Sequence, residues 1–171
     1  MFIKIRQILF MTKTAITLLA FVFFTKIACA QLTAKPTCGV FNIDILNGTL
    51  NNLKPNVNEQ EFLEKLPCYT SNQKADSVCG HTIFFKDRDV TVYLQRKYIE
   101  VGPAFKGKLS IPLMGAARDG LFKWLGNPKI KDADWDAFQT QYGTLVLHYE
   151  KNKVNLIQLS TQSTEQLSLC Q

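Results

Sequence analysis

The sequence predicts an α+β domain built from two tandem αββ-type half-repeats, with short helices packed on an antiparallel sheet. Three observations lead there. A short apolar helical stripe occurs twice, and residues 62, 63 and 66 match residues 121, 122 and 125 at one offset. Each copy is followed by two β-rich runs joined by a charged four-residue link. An export leader precedes an even set of cysteines, which is the pattern of a domain held by disulfides.

The leader comes first. Lys4, Arg6 and Lys13 precede an apolar run from Ala15 to Phe24, and Ala28-Cys29-Ala30 then offers small residues to a signal peptidase. The run is too short to span a bilayer as a helix. Residues 1–30 are therefore expected to be removed near Ala30, with Met11 as a second candidate start. Acylation of Cys29 would need an aliphatic residue where Lys26 stands. The product is a single domain, residues 31–171, secreted or periplasmic and without a stable membrane span.

Removing the leader changes the charge argument. It takes away Lys4, Arg6, Lys13 and Lys26 and no acid, which leaves 16 basic residues against 14 acidic ones. Nucleic-acid binding rests on many uncompensated cations, so no nucleic-acid partner is expected. The pairs Lys106/Lys108 and Lys129/Lys131 read as solvated loop charges.

Four cysteines remain: Cys38, Cys68, Cys79 and Cys170. None has C-x-x-C spacing, and His81 and His148 lie far from such a pattern, so disulfides are expected rather than a metal. Three pairings are possible. The favoured one is Cys68–Cys79, a short loop, with Cys38–Cys170 tying the two ends. The long loop would stabilise the domain by roughly 4–5 kcal/mol on the chain-entropy model.

The elements follow in order. Val40 to Leu46 reads as an opening strand, ended by the turn Asn47-Gly48, which is also the start of a glycosylation sequon with Thr49. Glu61 to Pro67 reads as a helix with Phe62, Leu63 and Leu66 on one stripe. Cys79 to Phe85 and Val90 to Leu94 form a hairpin across Lys86-Asp87-Arg88-Asp89. Tyr98 to Val101 is a further strand, and Phe105 to Pro112 is the linker between halves. The second copy has Leu121, Phe122 and Leu125 on its helix, stopped by Gly126 and Pro128. Its hairpin runs from Tyr142 to Tyr149 and from Val154 to Leu159, across Glu150-Lys151-Asn152-Lys153. The half-repeats therefore span about 57–101 and 113–160. Asp132 to Tyr142 is an acidic and aromatic connection.

A short helix ending in Leu125-Gly126-x-Pro128, then Tyr142-Gly143, then a hairpin with Leu145, Val146, Val154 and Ile157, resembles the repeat of β-lactamase-inhibitor-protein-like domains. It is also similar to small lipoproteins of the outer-membrane assembly machinery, although Pro67-Cys68 replaces the Gly-x-Pro in the first half and the acylated cysteine of those lipoproteins is missing. The whole resembles uncharacterised secreted bacterial proteins. The resemblance implies helices on one face of an antiparallel sheet and a protein partner on the other. It covers framework positions and carries over no binding residue.

Motifs for chemistry do not emerge. There is no G-x-S-x-G, no H-E-x-x-H, no P-loop and no G-x-G-x-x-G, so no catalytic residue and no cofactor is expected. His81 and His148 read as strand-surface residues. Asp132, Asp134 and Asp136 alternate but lack the later glycine and glutamate of a calcium loop. What remains is surface. If Val90, Val92, Ile99 and Val101 face the helices, Tyr93 and Tyr98 face outward side by side. Tyr93, Tyr98 and Trp135 are the candidate partner contacts, whereas Trp124 is expected in the core. The expected function is a non-enzymatic protein-binding module of the bacterial periplasm or exterior. A structural envelope protein and a small hydrolase with an unrecognised site are the alternatives.

Overall fold

The structure, a computed structural model, describes residues 36–74 and 78–170. The leader expected over residues 1–30 lies outside the described residues. The first strands are β1 (Phe41–Asp44) and β2 (Thr49–Leu50), followed by helix α1 (Glu59–Lys65). Then come β3 (Ser71–Gln73), β4 (Thr82–Phe85), β5 (Val90–Tyr93), β6 (Tyr98–Val101) and β7 (Gly107–Leu109). Helix α2 (Arg118–Leu125) leads into β8 (Ile130–Lys131), β9 (Trp135–Gln139), β10 (Thr144–Glu150) and β11 (Lys153–Ser160).

Local chemistry sets the ends of these elements. Helix α1 begins two residues before the expected Glu61, because the Asn58 side chain caps it by accepting from the Glu61 N–H at 2.8 Å. Glu59 and Glu61 in its first turn and Lys65 in its last complement the helix dipole. Pro67 cannot donate a further N–H, and the helix stops. Helix α2 ends where Gly126 takes a φ of 74°. Between β10 and β11, Lys151 and Asn152 both have positive φ, the two-residue turn whose twist matches a hairpin.

The strands form an eight-stranded sheet in the order β3-β4-β5-β6-β11-β10-β9-β8 and a three-stranded sheet in the order β2-β1-β7. Every pair in the large sheet is antiparallel. Among the described residues this is a sheet-dominated α+β fold with two short helices. Each helix is followed by four strands of the large sheet rather than two, because residues 71–73, the further strand at Tyr98–Val101, Ile130–Lys131 and Trp135–Gln139 all join it. The strand order sets β5 and β6 opposite β10 and β11, whereas the sequence alignment matches β4 and β5 to that hairpin. The expected linker from Phe105 to Pro112 contains β7, which pairs parallel to β1.

Register sorts the sheet into rows. Ile83, Val92, Ile99, Leu159, Leu145 and Phe138 are direct neighbours across six strands. Phe85, Val90, Val101, Ile157, Leu147 and Asp136 make the adjacent row. All twelve are buried. Phe62 and Leu66 of α1 and Leu121 of α2 join the same core, as do Phe41 and Ile43 of β1. Phe41 meets Phe85 edge-on at 5.0 Å, which seats the small sheet on the large one. Gly48, at φ 64°, turns the chain from β1 to β2 directly under the Tyr142 ring, where a Cβ has no room.

The disulfides are Cys38–Cys68 and Cys79–Cys170, with Cα separations of 5.5 and 5.2 Å. The expected Cys68–Cys79 and Cys38–Cys170 pairs do not form. Ser71 faces Phe84 and Gln73 faces Thr82 in the β3–β4 ladder. That register puts Cys68 beyond the open end of the ladder and Cys79 towards its connecting end. Cys68 instead follows α1 onto the core beside Cys38, which leads into β1. Two disulfides are consistent with an exported, disulfide-bonded protein. Among the described residues no helix is long and apolar enough to cross a membrane.

Candidate functional site

The second face of the large sheet is polar and aromatic. One row runs Gln73, Thr82, Tyr93, Tyr98, Ser160, Thr144 and Gln139. The next runs Ser71, Phe84, Thr91, Glu100, Gln158, Val146 and Ala137. Leu156, His148 and Trp135 lie beyond it on β11, β10 and β9.

The chain after β11 covers the middle of the first row, at Tyr98, Ser160 and Thr144, while Gln73 and Gln139 at its ends are exposed. Thr161 N–H donates to the Lys97 carbonyl at 3.0 Å, and the Thr144 hydroxyl donates to the Gln162 carbonyl at 2.8 Å. Thr164 donates from both its N–H and its hydroxyl to Gln139 Oε1, at 3.0 and 3.1 Å. The return limb is held by Arg96, which donates to Ser168 Oγ at 2.7 Å and to the Leu169 carbonyl at 3.1 Å. Cys170 N–H donates to the Tyr98 hydroxyl at 3.1 Å, and its sulfur is bonded to Cys79.

Tyr93 and Tyr98 do point to this face and stack, with ring centroids 4.3 Å apart. Tyr98 is nevertheless 0 % exposed, so it is no free contact in this state. The sequence shows its direction from alternation but not the segment that returns over it. Burial pushes the Tyr98 phenol well above its ordinary range, and burial with the nearby Glu100 carboxylate raises that of Tyr93. Tyr93 stays half-buried.

The second row is half-buried from Ser71 to Glu100 and buried at Gln158, Val146 and Ala137. Gln158 Nε2 donates to Glu100 Oε2 at 2.9 Å, and Gln158 Oε1 lies 3.0 Å from His148 Nε2. The His148 ring lies 6.2 Å from that of Trp135, tilted by 30°. Phe84, Thr91, Glu100, Leu156, His148 and Trp135 are all half-buried. A cleft of about 280 Å³ opens at the Phe84 end, lined also by Ser71, Gln73, Lys86 and Thr91. The band therefore has aromatic groups at both ends and a hydrogen-bonded polar middle. Sequence reading found Trp135 but missed Phe84, Glu100, Gln158 and His148. The signal for Gln158 was present: it and Ser160 alternate with Ile157 and Leu159.

No family model, no curated protein and no solved structure matches this chain.

The remaining candidates are structural. Asp136 is fully buried and takes a bidentate ion pair from Arg118, at 3.0 and 2.6 Å. Tyr149 donates its hydroxyl to the same carboxylate at 2.8 Å, and the guanidinium lies 4.5 Å from the Tyr149 ring centroid. This cluster pins the start of α2 to β9. It also splits the alternating acids, since Asp132 and Asp134 are exposed while Asp136 is turned inward. Among the described residues no three His, Cys, Asp or Glu side chains are grouped to hold a metal.

His81 is buried rather than on a strand surface. Its Nε2 lies 2.5 Å from Asn72 Oδ1 and 3.5 Å from Glu59 Oε1 at the start of α1. Both histidines thus contact side-chain amide oxygens rather than a hydroxyl or thiol. Trp124, expected in the core, is 85 % exposed. The inward stripe of α2 is centred on Leu121, Leu125 and Phe122, and at 3.6 residues per turn Trp124 falls roughly 110° away from it. Asn47 sits in an exposed turn, with its amide donating to Asp44 Oδ2 at 2.7 Å.

Proposed function

We propose that this chain is an exported, non-enzymatic protein-binding module that docks its partner on the open band of the large sheet. The observation that carries the reading is the continuous band from Phe84 through Thr91, Glu100 and Gln158 to His148 and Trp135. Phe84, Thr91, Glu100, His148 and Trp135 are half-buried around the buried Gln158 amide, so the band combines aromatic area with fixed polar groups on a rigid sheet. Aromatic anchors at both ends supply contact area at small entropic cost, and the Glu100–Gln158–His148 chain supplies directional hydrogen bonds. The resemblance to β-lactamase-inhibitor-protein-like domains supports the same reading, because it implies a partner on the face away from the helices.

The two halves, 57–101 and 113–160, are on this proposal copies of one helix-and-meander unit. The mirrored strand order about the β6–β11 pair supports this, and so does the recurrence of the apolar helix stripe. The equivalent strands are then β5 with β10 and β6 with β11.

The test is capture of a protein from envelope or extracellular fractions by the purified mature domain. Trp135→Ala and Glu100→Lys should each lose the partner that the unmodified domain retains. Trp124→Ala, on the opposite side of the sheet, should retain it. Capture that is unchanged by both band variants would rule out this surface.

A further inference from the structure

The row under the C-terminal segment differs from an ordinary covered surface. Its members are Thr82, Tyr93, Tyr98, Ser160, Thr144 and Gln139, with no aliphatic side chain among them. The segment above it, residues 161–170, contributes nothing to the hydrophobic core cluster. Hydrogen bonds donated by Thr161, Thr164 and Cys170 and accepted by Gln162, Ser168 and Leu169 hold it, together with the disulfide at its end. A handful of hydrogen bonds that water can replace competes poorly with the entropy of ordering ten residues. The covalent bond therefore decides whether the segment stays down. Cys38 and Cys68, in contrast, pack against the core.

We propose that residues 161–170 are a thiol-controlled strap over a second peptide-accepting row, Tyr93–Tyr98–Ser160–Thr144–Gln139. Opening Cys79–Cys170 lets an extended, uncharged, hydroxyl-rich segment of the partner take the strap's place. The proposal rests on the reading of this face as a docking surface and extends it by one row. The step is a thiol–disulfide exchange. A dithiol reductant gives two electrons and two protons, the Sγ–Sγ bond breaks, two cysteine thiols form, and the reductant becomes a disulfide. Tyr98 then exposes its stacked ring and its hydroxyl, and Thr144 and Gln139 are freed to hydrogen-bond a new strand. The strap's own composition, Thr-Gln-Ser-Thr at 161–164 and Leu-Ser-Leu at 167–169 on either side of an exposed turn at Glu165 and Gln166, describes what the row accepts.

The double variant Cys79→Ser/Cys170→Ser in the full chain opens this bond and leaves Cys38–Cys68 intact. Hydrogen exchange followed by mass spectrometry should show residues 161–170 losing at least tenfold protection, with β10 and β11 unchanged. A fluorescent peptide of residues 161–169 should bind the variant and not the disulfide-bonded protein. Strap protection that survives in the variant overturns the proposal. So does loss of protection throughout the sheet, because the bond would then be a staple of the fold. A released strap with no peptide binding overturns the accepting row, while capture by the open band, measured separately with Trp135→Ala, still reports on the docking reading. Should the variant not accumulate, graded dithiol reduction of the unmodified protein with alkylation serves instead. Cys79 and Cys170 should be alkylated together with strap release and before Cys38 and Cys68, and the reverse order refutes the lock.

Discussion

Thr144 and Leu145 are adjacent residues of β10 and are both completely buried, yet different things bury them. Leu145 points into the layer of α1, α2 and the small sheet, among aliphatic and aromatic side chains. Thr144 points the other way and is covered by a hydrogen-bonded segment of chain whose end is held by a disulfide. The two faces of one sheet are thus closed by different physics. One face is closed by removing apolar surface from water, which is cooperative and set at folding. On the other, the row through Tyr98, Ser160 and Thr144 is closed by exchangeable hydrogen bonds and a covalent tie. Burial alone does not tell a core from a cover; what lies beneath the covering group does.

Truncation should separate the faces most clearly. Leu145→Ala is expected to destabilise by about 2–5 kcal/mol, and Phe62→Ala by about 3–5, as cavities in a packed core. Thr144→Ala should cost only about 1 kcal/mol, the worth of a typical hydrogen bond. Urea unfolding of the three variants makes the comparison, and equal losses at 144 and 145 would erase it.

The Arg118–Asp136 pair is an exception within the core face, since it places a fully buried carboxylate in an otherwise apolar row. Removing one partner leaves that charge uncompensated, and Arg118→Ala should cost roughly 3–5 kcal/mol in the same assay.

The disulfides give a sharper contrast. On chain entropy alone, a bond closing 91 residues should stabilise more than one closing 30, about 4.5 against about 3.5 kcal/mol. The strap predicts the opposite order. Opening Cys38–Cys68 should cost about 3.5 kcal/mol, and opening Cys79–Cys170 no more than about 2, because the folded state also gains freedom when the strap is released. Thermal or urea unfolding of the two double serine variants decides between them.

Tyrosines on both faces add a pH signature. The phenols of Tyr98, Tyr142 and Tyr149 are all raised, first by burial. A phenol raised on folding contributes stability that is complete below its unfolded value of about 10 and is lost as pH climbs above it. The domain should therefore lose stability above about pH 10. Tyr98→Phe should reduce that loss, read as a smaller drop in the urea midpoint between pH 9 and pH 11. The smallest stability effect belongs to the open band, where Glu100→Lys should stay within about 1 kcal/mol while abolishing capture.

Several elements were legible in the residues. The apolar stripes at Phe62 and Leu121, the breakers Pro67 and Gly126, and the alternation through β5, β6 and β11 have local causes, and each element formed close to its expected bounds. Tyr93 and Tyr98 share a face for the same reason. Trp124 was misplaced because the stripe of α2 depends on where the helix meets the sheet, and Arg118 with Asp136 fixes that contact. β7 escaped notice because its partner, β1, lies more than sixty residues earlier in the chain.

The sequence by itself determined the two helices, the strands of the two main hairpins, the outward direction of the tyrosines and the presence of cysteines available for pairing. These depend on spacing, capping and alternation, which act over a few residues. Only the tertiary structure decided which cysteines meet, which of the two tyrosines is covered, and which polar side chains line up into a band. Those outcomes depend on strand register and on where the chain returns after β11, and both are set by contacts between residues far apart in sequence.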